Sequence, residues 1–323
     1  MAHNIQTMAY TGAKPWHGLG KAVASAMTSA EAIKEAGLDW EVKKIQAQFN
    51  IGTGIPVMKN IPGKFATVRQ DTDEALGVVG NNYTVLQNRD AFKFFDSIVG
   101  EKLAAFHTAG ALGQGERIWM LAKLPGECWI TPEDNVEKFL LLTNSHDGYN
   151  SVKIMATPIR VVCQNTLNIA LASDKQKSSV RHTMSMGGNI KEIREQIGVA
   201  DNFFRTFQAM SKHLVSKQTS SVMVEKLFDD LGLGKEKAKE STRTENIRFD
   251  ILKMFEKGKG NDMKSVKGTD WALLNGVVEY VDYERSARGD GNEKAENRAN
   301  SLLFGSGALL KQKALDSILA ITK

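Results

Sequence analysis

Residues 138–172 read KFLLLTNSHDGYNSVKIMATPIRVVCQNTLNIALA. Two β-rich runs, 138–144 and 150–157, flank a turn whose Asp147-Gly148 pair is a strong short-range hairpin signal. Thr157 and Pro158 then mark a helix start: a hydroxyl to cap it, and a proline in the first turn, where a missing N–H costs nothing. Ile159, Val162, Cys163, Thr166, Leu167, Ala170 and Leu171 recur at i, i+3 and i+4 and make a core face. At about 100° per residue, Arg160, Gln164, Asn168 and Lys175 fall on the opposite side. Upstream, RIWMLAKLP (117–125) reads as a buried strand ending at Pro125. The order is therefore strand, strand, strand, helix, with the hairpin and its helix packing as one layer on another.

Further towards the N-terminus, Thr28 or Ser29 caps a short helix running to Ala36 and closed by Gly37. DWEVKKIQAQF (39–49) alternates as a strand, and KFATVRQDTDEALGVVG (64–80) is a hairpin around Asp71–Glu74. Asn88 or Asp90 caps a helix with Phe92, Phe95, Ile98 and Val99 on its apolar side, stopped by Gly100. Beyond Ser173 the composition turns polar, and residues 173–189 read as a loop. Helical periodicity resumes from Ile190 to Leu231. GLGKEKAKESTRTEN (232–246) reads as a charged connector, and IRFDILKMFEKGKG (247–260) as a short helix. DWALLNGVVEYVDYERSAR (270–288) reads as an amphipathic helix with Trp271, Leu274, Val278 and Val281 on one side. A polar loop over 289–300 precedes a last helix from about Ala308. The expectation is an α+β chain: a core domain over 1–183 built on an antiparallel sheet, and an all-helical C-terminal region over 184–323.

The bulk numbers exclude several classes. With 42% hydrophobic and 24% charged residues, the 323-residue chain has an ordinary globular composition. No apolar run is long enough for a membrane span, and the first twenty residues lack the apolar stretch of a secretory signal. Two cysteines, Cys128 and Cys163, make no disulfide framework and fit a reducing cytoplasm. The net charge of +5 permits an anionic partner without demanding one. From Ser151 to Thr183, Lys153, Arg160, Lys175, Lys177 and Arg181 oppose Asp174 alone, 5 − 1 = +4.

Catalytic and cofactor signatures are missing. GSGALLK (305–311) has glycines and a lysine at the wrong spacing for a phosphate loop, and no dinucleotide-binding glycine pattern follows a strand. None of the six histidines lies at metal-ligand spacing with another histidine or cysteine. His146-Asp147 with Cys163 offers a nucleophile and base on paper, but Cys163 falls on the apolar helix face, where thiols are inert. The stripe Arg160-Gln164-Asn168 contains no glutamate, unlike the mixed Glu/Lys faces of solvated helices. Cations beside amides suit a sugar-phosphate chain, and aromatic rings near strand ends suit stacked bases.

Four segments carry a resemblance over nearly the whole chain: MAHNIQTMAYTGAKPWHGLG (1–20), GVVGNNYTVLQNRDAFKFFDSIVG (77–100), TPIRVVCQNTLNIAL (157–171), and WALLNGVVEYVDYERSAR (271–288) with NRANSLLFGSGALLKQKAL (297–315). Together they resemble the phage/plasmid-like protein family of mobile elements, which long carried only a domain-of-unknown-function label. The strand-strand-strand-helix core, at about 117–172, is similar in topology to that of single-strand annealing recombinases. This implies an annealing-type β-β-β-α core, a ring or filament of copies, and strand annealing in recombination or replication of a phage or plasmid. It also implies no ATP, metal or other cofactor, and no enzymatic step. No residue role transfers from a topological likeness, so the site is read from charge and face. Lys153, Arg160, Lys175, Lys177 and Arg181 would neutralise phosphates, Gln164 and Asn168 would bond to the DNA backbone, and Tyr83 and Tyr149 would stack on bases. The expected partners are single-stranded DNA, further copies of the chain, and a phage or plasmid nuclease or single-strand-binding protein. Two alternatives stay open: a non-enzymatic host-interaction or anti-defence adaptor of a mobile element, which binds a host protein, and an enzyme using the His146-Asp147 loop.

Overall fold

Local capping chemistry fixes the first helix. The computed structural model describes residues 5–11, 20–23, 28–100, 104–149, 152–160, 178–180, 190–286, 301 and 305–322. Helix α1 (Ser29–Glu35) begins at a reciprocal capping box. The Thr28 hydroxyl accepts from the Glu31 N–H, and the Glu31 carboxylate accepts from the Thr28 N–H at 2.8 Å. Gly37, at φ 63°, ends it as expected.

Two sheets follow. Eight strands among the described residues form the larger one, in the order β11-β10-β9-β7-β6-β1-β2, with β8 beside the start of β9. The strands are β1 (Ile5–Thr11), β2 (Lys21–Val23), β6 (Ala105–Leu112), β7 (Arg117–Lys123), β8 (Cys128–Trp129), β9 (Asn135–Ser145), β10 (Val152–Arg160) and β11 (Ser178–Val180). Only β1 and β2 run parallel. The smaller sheet is antiparallel, with β3 (Val42–Asn50), β4 (Met58–Arg69) and β5 (Ala75–Gly80) in that order.

Strand β9 explains its own apolar run. Leu140 and Leu142 belong to the main core, while Leu141 joins Met8, Tyr10, Leu112 and Trp119 in a second cluster. A strand covered on both faces reads as continuous hydrophobic sequence rather than alternation. The main core continues into α2 (Asn88–Gly100), α3 (Ile190–Val215), α4 (Ser221–Asp230) and the later helices.

Three sequence expectations need correction. The hairpin is present, but β10 runs through Pro158 to Arg160, so Thr157 and Pro158 start no helix. Pro158 pairs with Lys138. Among the described residues β11 reaches only Val152–Ile154, leaving Pro158 on an edge, the part of a sheet where a missing N–H is tolerated. The charged connector holds a helix, α5 (Lys235–Glu240), and Ser241 then caps α6 (Thr242–Lys257) by accepting from the Thr244 N–H. Finally, α7 (Asp270–Glu279) is not amphipathic: every residue from Asp270 to Val278 is buried. A helix hydrophobic all round belongs inside a bundle.

The helices are held by a few buried polar contacts. The Trp271 indole donates to Asp134 at 2.9 Å, tying α7 to the turn before β9. Past α7, Tyr280–Glu284 form one π-helical turn. Its Asp282 pairs at 2.9 Å with Lys311 of the last helix, α8 (Ser306–Ile321), and both side chains are buried. Removing one partner takes a buried countercharge from the other. Asp282→Ala should therefore lower unfolding free energy by ~3–5 kcal/mol in urea titration, and a loss below ~1 kcal/mol would contradict this role.

Candidate nucleic-acid interface

From Val42 to Arg69 the chain carries Lys43, Lys44, Lys59, Lys64 and Arg69 and no aspartate or glutamate, 5 − 0 = +5. These residues build β3 and β4. Strand β5 pairs only as far as Lys64 opposite Gly80. Past a register shift between Gln46 and Gln48, the other two strands continue alone, pairing Gln48 with Asn60, Phe49 with Lys59 and Asn50 with Met58. The result is a two-stranded ribbon with a basic root. Two of the cations are structural. Arg69 clasps Asp71 at 2.7 and 2.9 Å, donates to the Gln114 carbonyl at 2.9 Å, and lies 4.5 Å over the Trp40 ring. That hydrogen bond holds the Asp71 carboxyl below its ordinary value. Lys44 covers the Phe65 ring and donates to the Asn81 and Tyr83 carbonyls. Lys43, Lys59 and Lys64 are exposed and make no ion pair among the described residues. Side-chain amides border them: Gln46 donates to the Ile61 and Lys64 carbonyls, and Gln48 to Asn60 at 2.8 Å.

The ribbon's root is fixed by the β9–β10 turn. His146 is fully buried between the sheets. Its Nε2 lies 2.8 Å from Asn88 Oδ1 and its ring packs edge-on to Trp40 at 5.6 Å. Because the Asn88 amide nitrogen donates to the Leu38 carbonyl at 3.0 Å, its oxygen is the acceptor and His146 Nε2 carries the proton. The His146 carbonyl accepts from the Thr67 hydroxyl at 2.7 Å. Asp147 accepts from the Ser145 hydroxyl, from the Tyr149 N–H at 2.8 Å and from Arg117 at 3.3 Å. His146 thus ties the turn to the smaller sheet and to α2, and the Asp147 carboxylate ties it to β7.

The residues expected to bind DNA are not gathered on one helix face. Lys153 and Arg160 lie on β10, opposite Thr143 and Val136, seven residues or ~23 Å apart along the strand. The stripe therefore loses Arg160 as its first member. Gln164, Asn168, Lys175, Lys177 and Arg181, like Cys163, lie outside the described residues. Tyr83 is not a free ring: its hydroxyl donates to the Ser145 carbonyl at 3.1 Å. Burial, reinforced by the negative charge of Asp147, pushes that hydroxyl up to about 12. Tyr149 is the opposite case, 87% exposed on the turn beside β5. Lys43, Lys59 and Lys64 were not singled out from the sequence; the signal available was the run of 28 residues without an acid.

One further concavity, about 300 Å³, opens between β8, β9 and α3. Lys138 and Arg205 face Glu127 and Asp201 there, so its charge is balanced. Burial pushes its Cys128 thiol up to about 11, far from a nucleophile's range.

Residues 75–303 match the family described as Domain of unknown function (DUF932). The chain belongs to the DUF932 family. The chain matches no curated protein and no solved structure. The DUF932 match begins at β5, so it takes in the β9–β10 turn and helices α2 to α7, but not the basic ribbon, α1 or α8. No helix of the described residues is long and apolar enough to cross a membrane.

The clamp has a glycine signature. A Cβ on Gly77 would sit 2.6 Å from Asp147 Cα and O, whereas one on Gly80 would meet nothing within 4 Å. Gly77→Ala should cost ~1–3 kcal/mol by forcing the turn and sheet apart. Gly80→Ala should stay within ~0.5 kcal/mol of the parent. Thermal unfolding of the two variants checks this, and equal melting temperatures would contradict it.

Proposed function

We propose that the protein binds single-stranded DNA and anneals complementary strands without ATP, in recombination or replication of a phage or plasmid. The observation that carries this reading is the acid-free hairpin Val42–Arg69, whose exposed lysines stand on strands bordered by amides. Lysine neutralises phosphate, the exposed Gln48 and Asn60 amides each have an N–H left over to donate to the sugar-phosphate chain, and an exposed ring offers a stacking face. Tyr149 supplies such a ring beside the same small sheet. The antiparallel neighbours β7, β9 and β10 supply the three strands this reading uses, while the helix expected at Thr157 is replaced there by β10. Assembly into a ring or filament belongs to the same reading, as does recruitment of a phage or plasmid nuclease or single-strand-binding protein.

A second reading, a non-enzymatic adaptor, draws on the exposed apolar side chains at the ribbon's far end. The two separate on salt. Phosphate neutralisation releases counterions, so oligonucleotide affinity should fall steeply between 50 and 200 mM salt, with a log–log slope of roughly −0.7 per phosphate contacted. Lys59→Glu with Lys64→Glu should weaken binding at least ~10-fold and flatten the slope by roughly 1 to 2. Fluorescence anisotropy with a labelled single strand measures both. Absent or salt-independent binding would overturn the DNA reading and favour the adaptor.

A further inference from the structure

The far end of the ribbon exposes more apolar surface than a solvated hairpin requires. Phe49, Ile51, Ile55, Val57 and Met58 are all exposed, Ile55 to 82%. Large apolar side chains exposed together at one end of a ribbon are the kind of surface that contacts use. It is also stiff. The Asn50 carbonyl oxygen of the side chain accepts from the Gly52 and Val57 N–H groups at 2.9 Å each, and the Ile51 N–H donates to the Val57 carbonyl at 3.0 Å. A Cβ on Gly52 would lie 1.9 Å from the Ile55 oxygen, so only glycine closes this loop. The tip is therefore held out in one shape, with its ordering cost already met before any partner arrives.

The surroundings name the partner's chemistry. Lys59 and Lys64 lie behind the tip on the same strand, and no acid occurs in the whole hairpin. A ligand that satisfies both features is anionic along its length and apolar on flat internal faces. Nucleic acid has this combination, with phosphates for the lysines and base faces for the apolar side chains. Apolar wedges on protein arms enter base steps in this way and unstack them.

We propose that the tip inserts Ile55 and its apolar neighbours between adjacent bases of the bound strand, holding them unstacked. The inference rests on the DNA-binding reading above and adds a role for the tip. Unstacked bases are the form a complementary strand can pair with, so the tip would serve annealing while the lysines serve affinity.

The test uses the full chain and an oligonucleotide with one 2-aminopurine between adenines, whose fluorescence rises when it unstacks. The parent protein should raise that signal several-fold. Ile55→Ser with Val57→Ser should lose most of the rise while binding within about threefold of the parent, because phosphate contacts carry affinity. Both side chains are exposed, so an unchanged melting temperature should accompany the loss. A full rise from the double variant would overturn the proposal and leave DNA binding standing. So would a variant whose only defect is weaker binding to phosphatidylglycerol vesicles, or a smaller self-associated mass without DNA. No oligonucleotide binding by the parent would overturn the DNA reading and this inference together.

Discussion

The packing of one turn between two sheets is the constraint on which the rest of the structure depends. Residues Ser145–Tyr149 link β9 to β10, yet their backbone and side chains are held by groups from the smaller sheet, from α2 and from β7. A buried imidazole and carboxylate need hydrogen bonds, and here Asn88 meets His146 Nε2 while Ser145, Tyr149 and Arg117 meet Asp147. Close approach is equally demanding: Gly77 rests directly on the Asp147 backbone. His146 and Asp147 together look like chemistry in a sequence. In the fold His146 bonds to the smaller sheet and α2, and Asp147 bonds to the turn and β7.

That constraint divides the molecule by task. On one side of the clamp, β7, β9 and β10 share a continuous core with α1 to α4 and α6 to α8, closed by buried polar contacts such as Trp271–Asp134 and Lys311–Asp282. On the other, β3 and β4 leave β5 behind and run on as a pair, with exposed lysines and then exposed apolar side chains. Two strands alone are marginal in water, so a ribbon of this kind needs a firm root. Trp40, stacked under Arg69 and edge-on to His146, is part of that root.

Much of the fold was legible wherever local chemistry decides structure. The helix start at Thr28 or Ser29, the Asp147-Gly148 hairpin and the apolar run of β9 behaved as their residues dictate. Strand β6 was missed because AFHTAGAL has few strand-forming residues. It is a strand because its neighbours require one: Gly110 leaves room for the Trp119 ring and the Thr7 carbonyl. Pro158 was misread because a proline fits both a helix start and a sheet edge, and only pairing with β9 distinguishes them. The candidate site was less legible. Reading one helix face for cations put weight on Arg160, which is in a strand, whereas the acid-free run of 42–69, continuous in the sequence, was passed over because it was read for strands and turns and not for charge.

The central claim is that Val42–Arg69 is the surface the DNA covers. Hydrogen exchange of the full chain, with and without a saturating single-stranded oligonucleotide, tests it most directly. Slowed exchange in the amides of 44–64, with 190–280 unchanged, is the predicted result. Protection confined to the helices, with the ribbon exchanging as in the free protein, would contradict it.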